Sequence, residues 1–308
     1  MVLLSLLPLI AFQPDPAMLR RLYEEGLAKR EHEYGVQDPR TAGAARDLGL
    51  FLREWTDPAS AHAPLAQALE IDQRALGPAD PQTLADAANL ASVSPPDEAD
   101  RLWTRATQSP DAALAAKALA ALGDLRESAG DKRGAAEFYR GALAKEEAAS
   151  GKSGARVAVR LNALALVADP PDAIPLLQRA LAINRRAWGE RHPETATTEV
   201  NLSGELLATG HIAEAVRIGR LALGNFEATL GRDHPRTAAA ASTLADALRA
   251  SKDNGGAEKL YRRALAIDER AYGPAHPETL GDVRNLADFL RETGRLKEAA
   301  ELETRLRQ

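Results

Sequence analysis

Six histidines and no cysteine limit the metal chemistry open to this chain of 308 residues. Three of the histidines recur at one interval, in His192-Pro193-Glu194-Thr195, His234-Pro235-Arg236-Thr237 and His276-Pro277-Glu278-Thr279, each 42 residues after the last. Repeated imidazoles suggest a shared metal ion. A zinc ion, however, needs its ligands about 2 Å away, whereas residues found once per structural unit lie in a row roughly 10 Å apart, the spacing of packed helices. Asp38-Pro39-Arg40-Thr41 and Asp80-Pro81-Gln82-Thr83 are further copies of the segment, again 42 apart, with Asp in place of His. Aspartate is a favoured helix N-cap, and proline belongs in the first helical turn. The histidines are therefore expected to be turn residues, with no metal and no cofactor bound by them.

Other chemistry is thinly represented. Gly151-Lys152-Ser153 has the ending of a phosphate-binding loop, but Glu146 stands where that loop needs its first glycine, and no strand precedes it. A turn is expected there. No Gly-x-Ser-x-Gly, His-Glu-x-x-His or Gly-x-Gly-x-x-Gly occurs, so no catalytic residue and no enzyme activity are expected. Paired carboxylates are plentiful and are expected on solvated helical faces. The formal net charge is −5, without a basic block, which argues against nucleic acid as the partner.

The elements that would position any site follow from the period. Apolar residues make up 45% and aromatic residues only 4%; alanine and leucine carry the apolar share, and both favour helices. In Leu260–Ile267 the apolar residues step by three and four, Gly273-Pro274 ends the helix, and a new one starts after His276. That next helix carries Asn285-Leu286-Ala287 and ends near Gly294, and another runs through Ala299 and Leu302. Each unit is thus a pair of antiparallel helices, A then B. A helices are expected near 41–55, 83–94, 112–129, 156–168, 195–209, 237–250 and 279–293, after a lone helix from Ala17 to Tyr34. A fixed period of this length marks a stacked-repeat solenoid. Ala61, Ala215, Ala257 and Ala299 take one small-residue slot where helices approach closely. Residues 14–308 are expected to form a single solenoid of about seven helix pairs plus the leading helix. Its last helix shows Glu301, Glu303, Arg305 and Arg307 outward, the polar face a terminal repeat needs. Residues 1–13 form an apolar segment, with Ser5 the one polar side chain among the first twelve. It is too short to span a bilayer. It is expected to be an export signal or anchor rather than a capping helix, which leans localisation toward export; without that role the chain would be cytoplasmic.

Leu122, Gly123, Gly130, Ala135, Tyr139 and Ala142 resemble the tetratricopeptide repeat, with its Leu-Gly, Ala, aromatic, Ala spacing. The 42-residue period, with Leu-Gly or Tyr-Gly before the Pro-x-His-Pro-x-Thr turn, is similar to the longer kinesin-light-chain type, found also in bacterial proteins. The resemblance extends from about residue 17 to 308. It implies an all-α, right-handed superhelical solenoid whose A helices line a concave groove for peptides or protein segments. It does not imply kinesin, since no coiled-coil heptads precede the repeats.

Asn89, Asn162, Asn201 and Asn285 stand at one slot of their A helices, with Thr243 and Asp47 at the same slot of two others. In peptide-binding repeats of this family, asparagine there commonly bonds the ligand backbone; an amide both donates and accepts, which suits an extended segment. The other reading is a bond within the array itself. Arg53, Arg249 and Arg291, each after a leucine, could form a cationic stripe for acidic groups, or pair with neighbours such as Glu54 and Glu292. The function expected is a non-catalytic protein–protein interaction scaffold that binds an extended protein segment, with acidic groups matched to the arginines. The alternative is a structural component that self-associates in a larger, envelope-type assembly, for which Gly43, Gly204 and Gly281 are the small groove residues. Homo-oligomers fit that alternative, and membrane contact would run only through residues 1–12.

Overall fold

Proline opens most of the helices and glycine closes many of them, so the boundaries are cut by backbone chemistry. In this computed structural model, which describes residues 15–307, the order is α1 (Pro16–Tyr34), α2 (Pro39–Trp55), α3 (Pro58–Ala75), α4 (Pro81–Ala91), α5 (Pro96–Ala106), α6 (Ala112–Ser128), α7 (Lys132–Ser150), α8 (Ala155–Val167), α9 (Pro170–Trp188), α10 (Pro193–Ala208), α11 (Ile212–Thr229), α12 (Pro235–Ala250), α13 (Asn254–Tyr272), α14 (Pro277–Glu292) and α15 (Leu296–Glu303). A 3₁₀ turn, Thr304–Arg307, follows. Even-numbered helices are the A helices and odd-numbered ones the B helices. The expected signal or anchor in residues 1–13 lies outside the described residues.

The chain forms two compact units, the first reaching Leu125 and the second starting at Arg126. In the first, α2 packs on α3 and α4 on α5; in the second, each A helix packs on its B helix, and α8, α10, α12 and α14 also touch in succession.

The repeated turn is a clasp with two hooks. His192 Nδ1 accepts a hydrogen bond from the Glu194 N–H at 3.1 Å, His234 Nδ1 from the Arg236 N–H at 3.1 Å and His276 Nδ1 from the Glu278 N–H at 3.3 Å. Asp38 and Asp80 do the same for Arg40 and Gln82. Each cap satisfies one of the N–H groups that a helix start leaves unpaired. The second hook is the threonine. Thr195, Thr237 and Thr279 donate from Oγ1 to the carbonyls of Gly189, Gly231 and Gly273, each at 2.8 Å. Those glycines have φ of +92°, +95° and +87°, a conformation that reverses the chain and disfavours any side chain. Tyr272 and Trp188 stack on the capping His276 and His192, at 4.5 and 5.1 Å between ring centres.

Small residues set the spacing of the layers. Ala61, Ala215 and Ala257 are wholly buried and Ala299 nearly so. Gly49 marks a close approach of α2 and α3: a Cβ there would meet Leu65 Cγ at 2.5 Å and its backbone nitrogen at 3.2 Å. Tyr139, Tyr261 and Phe289 are the largest fully buried side chains among the described residues. On the B-helix side of the second unit, ion pairs join one repeat to the next, as in Arg179–Glu147 and Arg305–Glu269, both at 2.6 Å.

Candidate binding face

On an A helix, residues three and four apart share a face, and the buried stripe fixes which residues remain at its edge. In α14 that stripe is Thr279, Asp282, Val283, Leu286, Phe289 and Leu290. Asn285 sits beside it and is half-buried, as are Asn89, Asn162, Asn201 and Thr243 in their own helices.

Their bonds differ. Asn162 Nδ2 donates to the Ala158 carbonyl at 2.9 Å and to Thr198 Oγ1 at 3.0 Å, and its Oδ1 accepts from Asn201 Nδ2 at 3.1 Å. Asn162 and Asn201 thus tie α8 to α10, and Asn162 has little capacity left. Asn201 keeps one N–H and its carbonyl. Asn285 spends one N–H on Ser242 Oγ at 3.2 Å and keeps the rest. Thr243 donates to the Ala239 carbonyl of its own helix at 3.1 Å. No hydrogen bond engages the side-chain amide of Asn89 among the described residues.

The arginines are engaged locally. Arg53 Nη1 donates to Ser92 Oγ at 3.1 Å. Arg249 lies 3.6 Å from Asp246 and 3.7 Å from Glu292. Arg291 pairs with Asp288 at 2.6 Å and with Glu303. The leucines before them, Leu52, Leu248 and Leu290, point into the core. Gly43, Gly204 and Gly281 face open space.

One expectation needs correcting. Several carboxylates are not on solvated faces: Asp72, Asp86, Glu146, Glu199, Asp268 and Asp282 are all buried. Glu199 accepts from Arg185 at 3.0 Å and Asn225 at 2.9 Å; burial nevertheless raises its pKa. Asp282 lies three residues after Thr279 and four before Leu286, on the apolar stripe. That position marks it in the sequence as an acid in a core register. Burial, then the neighbouring Asp268, push its carboxyl up to about 7, against the opposing bond from Ser242.

Several clefts in the second unit are large enough to receive a side chain. One of about 350 Å³ lies between α12, α13 and α14, lined by Arg236, Ser242, Asp268, Tyr272, Asp282 and Asn285. Asn285 opens onto this cleft among other polar groups, and Arg291 onto a smaller one of about 210 Å³ with Arg284, Asp288 and Glu303. A larger cleft of about 750 Å³ between α7, α8 and α9 is lined by Arg140, Leu164, Asp172 and Leu176 among others; none of the predicted residues reaches it. Among the described residues no group of three or more histidine, aspartate or glutamate side chains could hold a metal ion. No described helix is long and apolar enough to cross a membrane.

The tetratricopeptide repeat family matches this chain over residues 158–228, 206–270 and 236–307. No curated protein matches it. Among solved structures, TPR-like repeats of kinesin-light-chain type from Podosopora anserina are 22% identical over 62% of this chain and 92% of theirs, with a TM-score of 0.52. BtubC (BKLC) from P. vanneervenii is 24% identical over 73% of this chain and 90% of its own, TM-score 0.54. A Rap protein complexed with Competence and Sporulation Factor is 14% identical over 94% of this chain and 76% of its own, TM-score 0.56. Residues 158–307 match the tetratricopeptide repeat family, and the chain, with its helix pairs closed by the same turn every 42 residues, shares the fold of these kinesin-light-chain-like repeat structures.

Proposed function

We propose that the chain is a non-catalytic scaffold that binds an extended protein segment along the exposed edges of its A helices. The observation that carries this reading is the unspent hydrogen-bonding capacity of half-buried amides at one repeated slot of the second unit: Asn201 and Asn285 each retain donors and acceptors that their neighbours do not use. An extended backbone offers the complementary groups at regular intervals. The match of residues 158–307 to tetratricopeptide repeats supports it, and so does the fold shared with a Rap protein complexed with Competence and Sporulation Factor. Acidic groups on the segment would engage Arg249 and Arg291 only by exchange with Asp246, Glu292, Asp288 and Glu303. Half-exposed pairs of this kind contribute only about 0–1 kcal/mol, so exchange is cheap.

The test compares the wild-type chain with the Asn201→Ala/Asn285→Ala double variant as baits in a lysate of the source organism, with circular dichroism to confirm that both fold. A partner held by the wild type and lost by the folded variant is the expected result. Equal retention by both sinks the amide-reading groove. A second reading, self-association, is favoured by α1, which buries no residue and leaves Met18 and Leu22 more than half exposed. Sedimentation of a chain beginning at Pro14 tests it, and a strict monomer at high concentration counts against it.

A further inference from the structure

One interior slot recurs in the regular repeats. It is built from three residues: 34 before, 8 before and 6 after the residue that caps the A helix. For the cap Asp80 these are Arg46, Asp72 and Asp86. Arg46 Nε donates to Asp86 Oδ1 at 2.5 Å, and its Nη2 donates to Asp72 Oδ2 at 2.6 Å and Asp86 Oδ2 at 3.0 Å. For His192 they are Ala158, Asn184 and Thr198, and the Asn184 amide donates to Thr198 at 3.0 Å. For His234 they are Val200, Phe226 and Ala240, which pack as an apolar cluster. Each of these slots is closed from within, by an ion pair, a neutral hydrogen bond or apolar contact.

For the cap His276 the three residues are Ser242, Asp268 and Asp282. The two acids of the Asp80 slot are kept, and the arginine between them has become a serine. Asp268 is 6% exposed and Asp282 8%. Asp268 Oδ1 and Asp282 Oδ2 have no hydrogen-bond partner among the described residues. Ser242 is too short to bridge them: it accepts from Asn285 and can donate its one hydroxyl proton to Asp282 alone, and it brings no charge. The nearby Arg236 is occupied elsewhere, with Nη2 donating to Glu194 at 3.2 Å and to Thr197; its guanidinium lies over the Phe226 ring. Two buried carboxylates without a counter-charge are costly, and they line the open cleft between α12, α13 and α14.

We propose that this cleft binds an arginine side chain of the protein segment, its guanidinium seated between Asp268 and Asp282 as that of Arg46 sits between Asp72 and Asp86. The inference rests on the segment-binding reading and adds the chemistry of the side chain that is read. A planar guanidinium offers several donors in a fork, which two carboxylates from different helices can share; an ammonium cannot meet both with the same geometry. Tyr272, held flat by its stack on His276, supplies an aromatic wall to the cleft. The free N–H and carbonyl of Asn285 lie on the same cleft, where the segment's backbone would pass.

The test needs no natural partner. The full chain, labelled for amide NMR, is titrated with N-acetyl-arginine amide, with the neutral isostere N-acetyl-citrulline amide, and with calcium chloride. We expect saturable shifts at the amides of residues 242, 268, 282 and 285 with the arginine compound, and binding about tenfold weaker or absent with citrulline. Asp282→Asn should abolish the shifts. Ser242→Arg, which restores the internal arginine of the Asp80 slot, should also abolish them and raise the melting temperature, so loss of binding comes with a gain in stability. No saturable shift at these amides, equal binding of citrulline, or calcium occupying the site in preference would each overturn the proposal. Failure here leaves the amide groove standing if the Asn201/Asn285 variant still loses its partner. Failure of that groove is read separately, from retention of the partner by the same variant.

Discussion

Asp282 shows how a single residue sets both a pH response and a possible trade of stability for binding. The groups that face it are Asp268 on α13, Ser242 and Asp246 on α12, and Glu278 on its own helix, with His276 beside Asp268. Burial and these acids raise its pKa from 3.8 to about 7. Below about pH 4 the carboxyl is protonated in both the folded and unfolded chain and makes no difference. Between pH 4 and 7 the unfolded chain releases the proton while the folded chain keeps it, so stability falls as pH rises, and above 7 the loss is complete. A displacement of that size corresponds to at most about 4 kcal/mol. Asp282→Asn removes the titration and the repulsion from Asp268. The variant should match the wild type near pH 4 and exceed it increasingly up to pH 8. Parallel urea-denaturation midpoints across that range, with no growing gap, would show that the carboxyl is not strained. The same substitution should cost the arginine site, the pattern expected where a binding group is held at the expense of stability.

At the scale of the element, the clasp explains why the turn tolerates His or Asp at one position and keeps Pro and Thr. Both residues offer an acceptor to the N–H two residues on, and only that acceptor is needed. His234→Ala should therefore lower stability by about 1 kcal/mol, while His234→Asp should restore it, since Asp38 and Asp80 already cap their helices at this position. A chelator should change neither; an alanine variant as stable as the wild type would remove the capping role. Gly49→Ala belongs to the same scale: its Cβ would press on Leu65 and its backbone, an overpacking worth roughly 1–3 kcal/mol. Much of this was legible in the sequence, because Pro, Gly and the capping residue act on their immediate neighbours and leave a local mark. The helix starts fall at the prolines for that reason. The side-chain bonds were less legible. Asn162 and Asn201 are 39 residues apart, and their slot was visible, but its choice between a neighbour and a ligand depends on distances that spacing does not fix. The buried acids depart from the expectation because carboxylates are usually solvated; the core register of Asp282 is the mark of its burial that the sequence carries.

For the whole molecule, a repeat array has no single core, and stability is a sum over neighbours. Burial along the chain is uneven. α12 buries nine residues, whereas α15 buries only Ala299 and α1 buries none. α1 is held to α2 by the Tyr23–Phe51 ring stack, centres 5.0 Å apart, by partly buried Leu19 and Leu27, by Arg40 over the Tyr34 ring and by the Arg30 bond to the Arg40 carbonyl. Its many polar side chains form ion pairs within the helix, such as Arg20–Glu24 and Arg21–Glu25; these support the helix but do not tie it to its neighbour. Native-state hydrogen exchange should therefore show a gradient: α1 and α15 open by local fraying, and α12 exchanges only with wider unfolding. Tyr23→Ala should accelerate exchange throughout α1 and leave α12 unchanged, since a nearest-neighbour array does not transmit the loss. Protection of α1 equal to that of α12 would mean that its exposed face is covered, by the apolar first residues or by a second copy. Repeating the measurement at two protein concentrations separates these, because only self-association makes the protection of α1 rise with concentration.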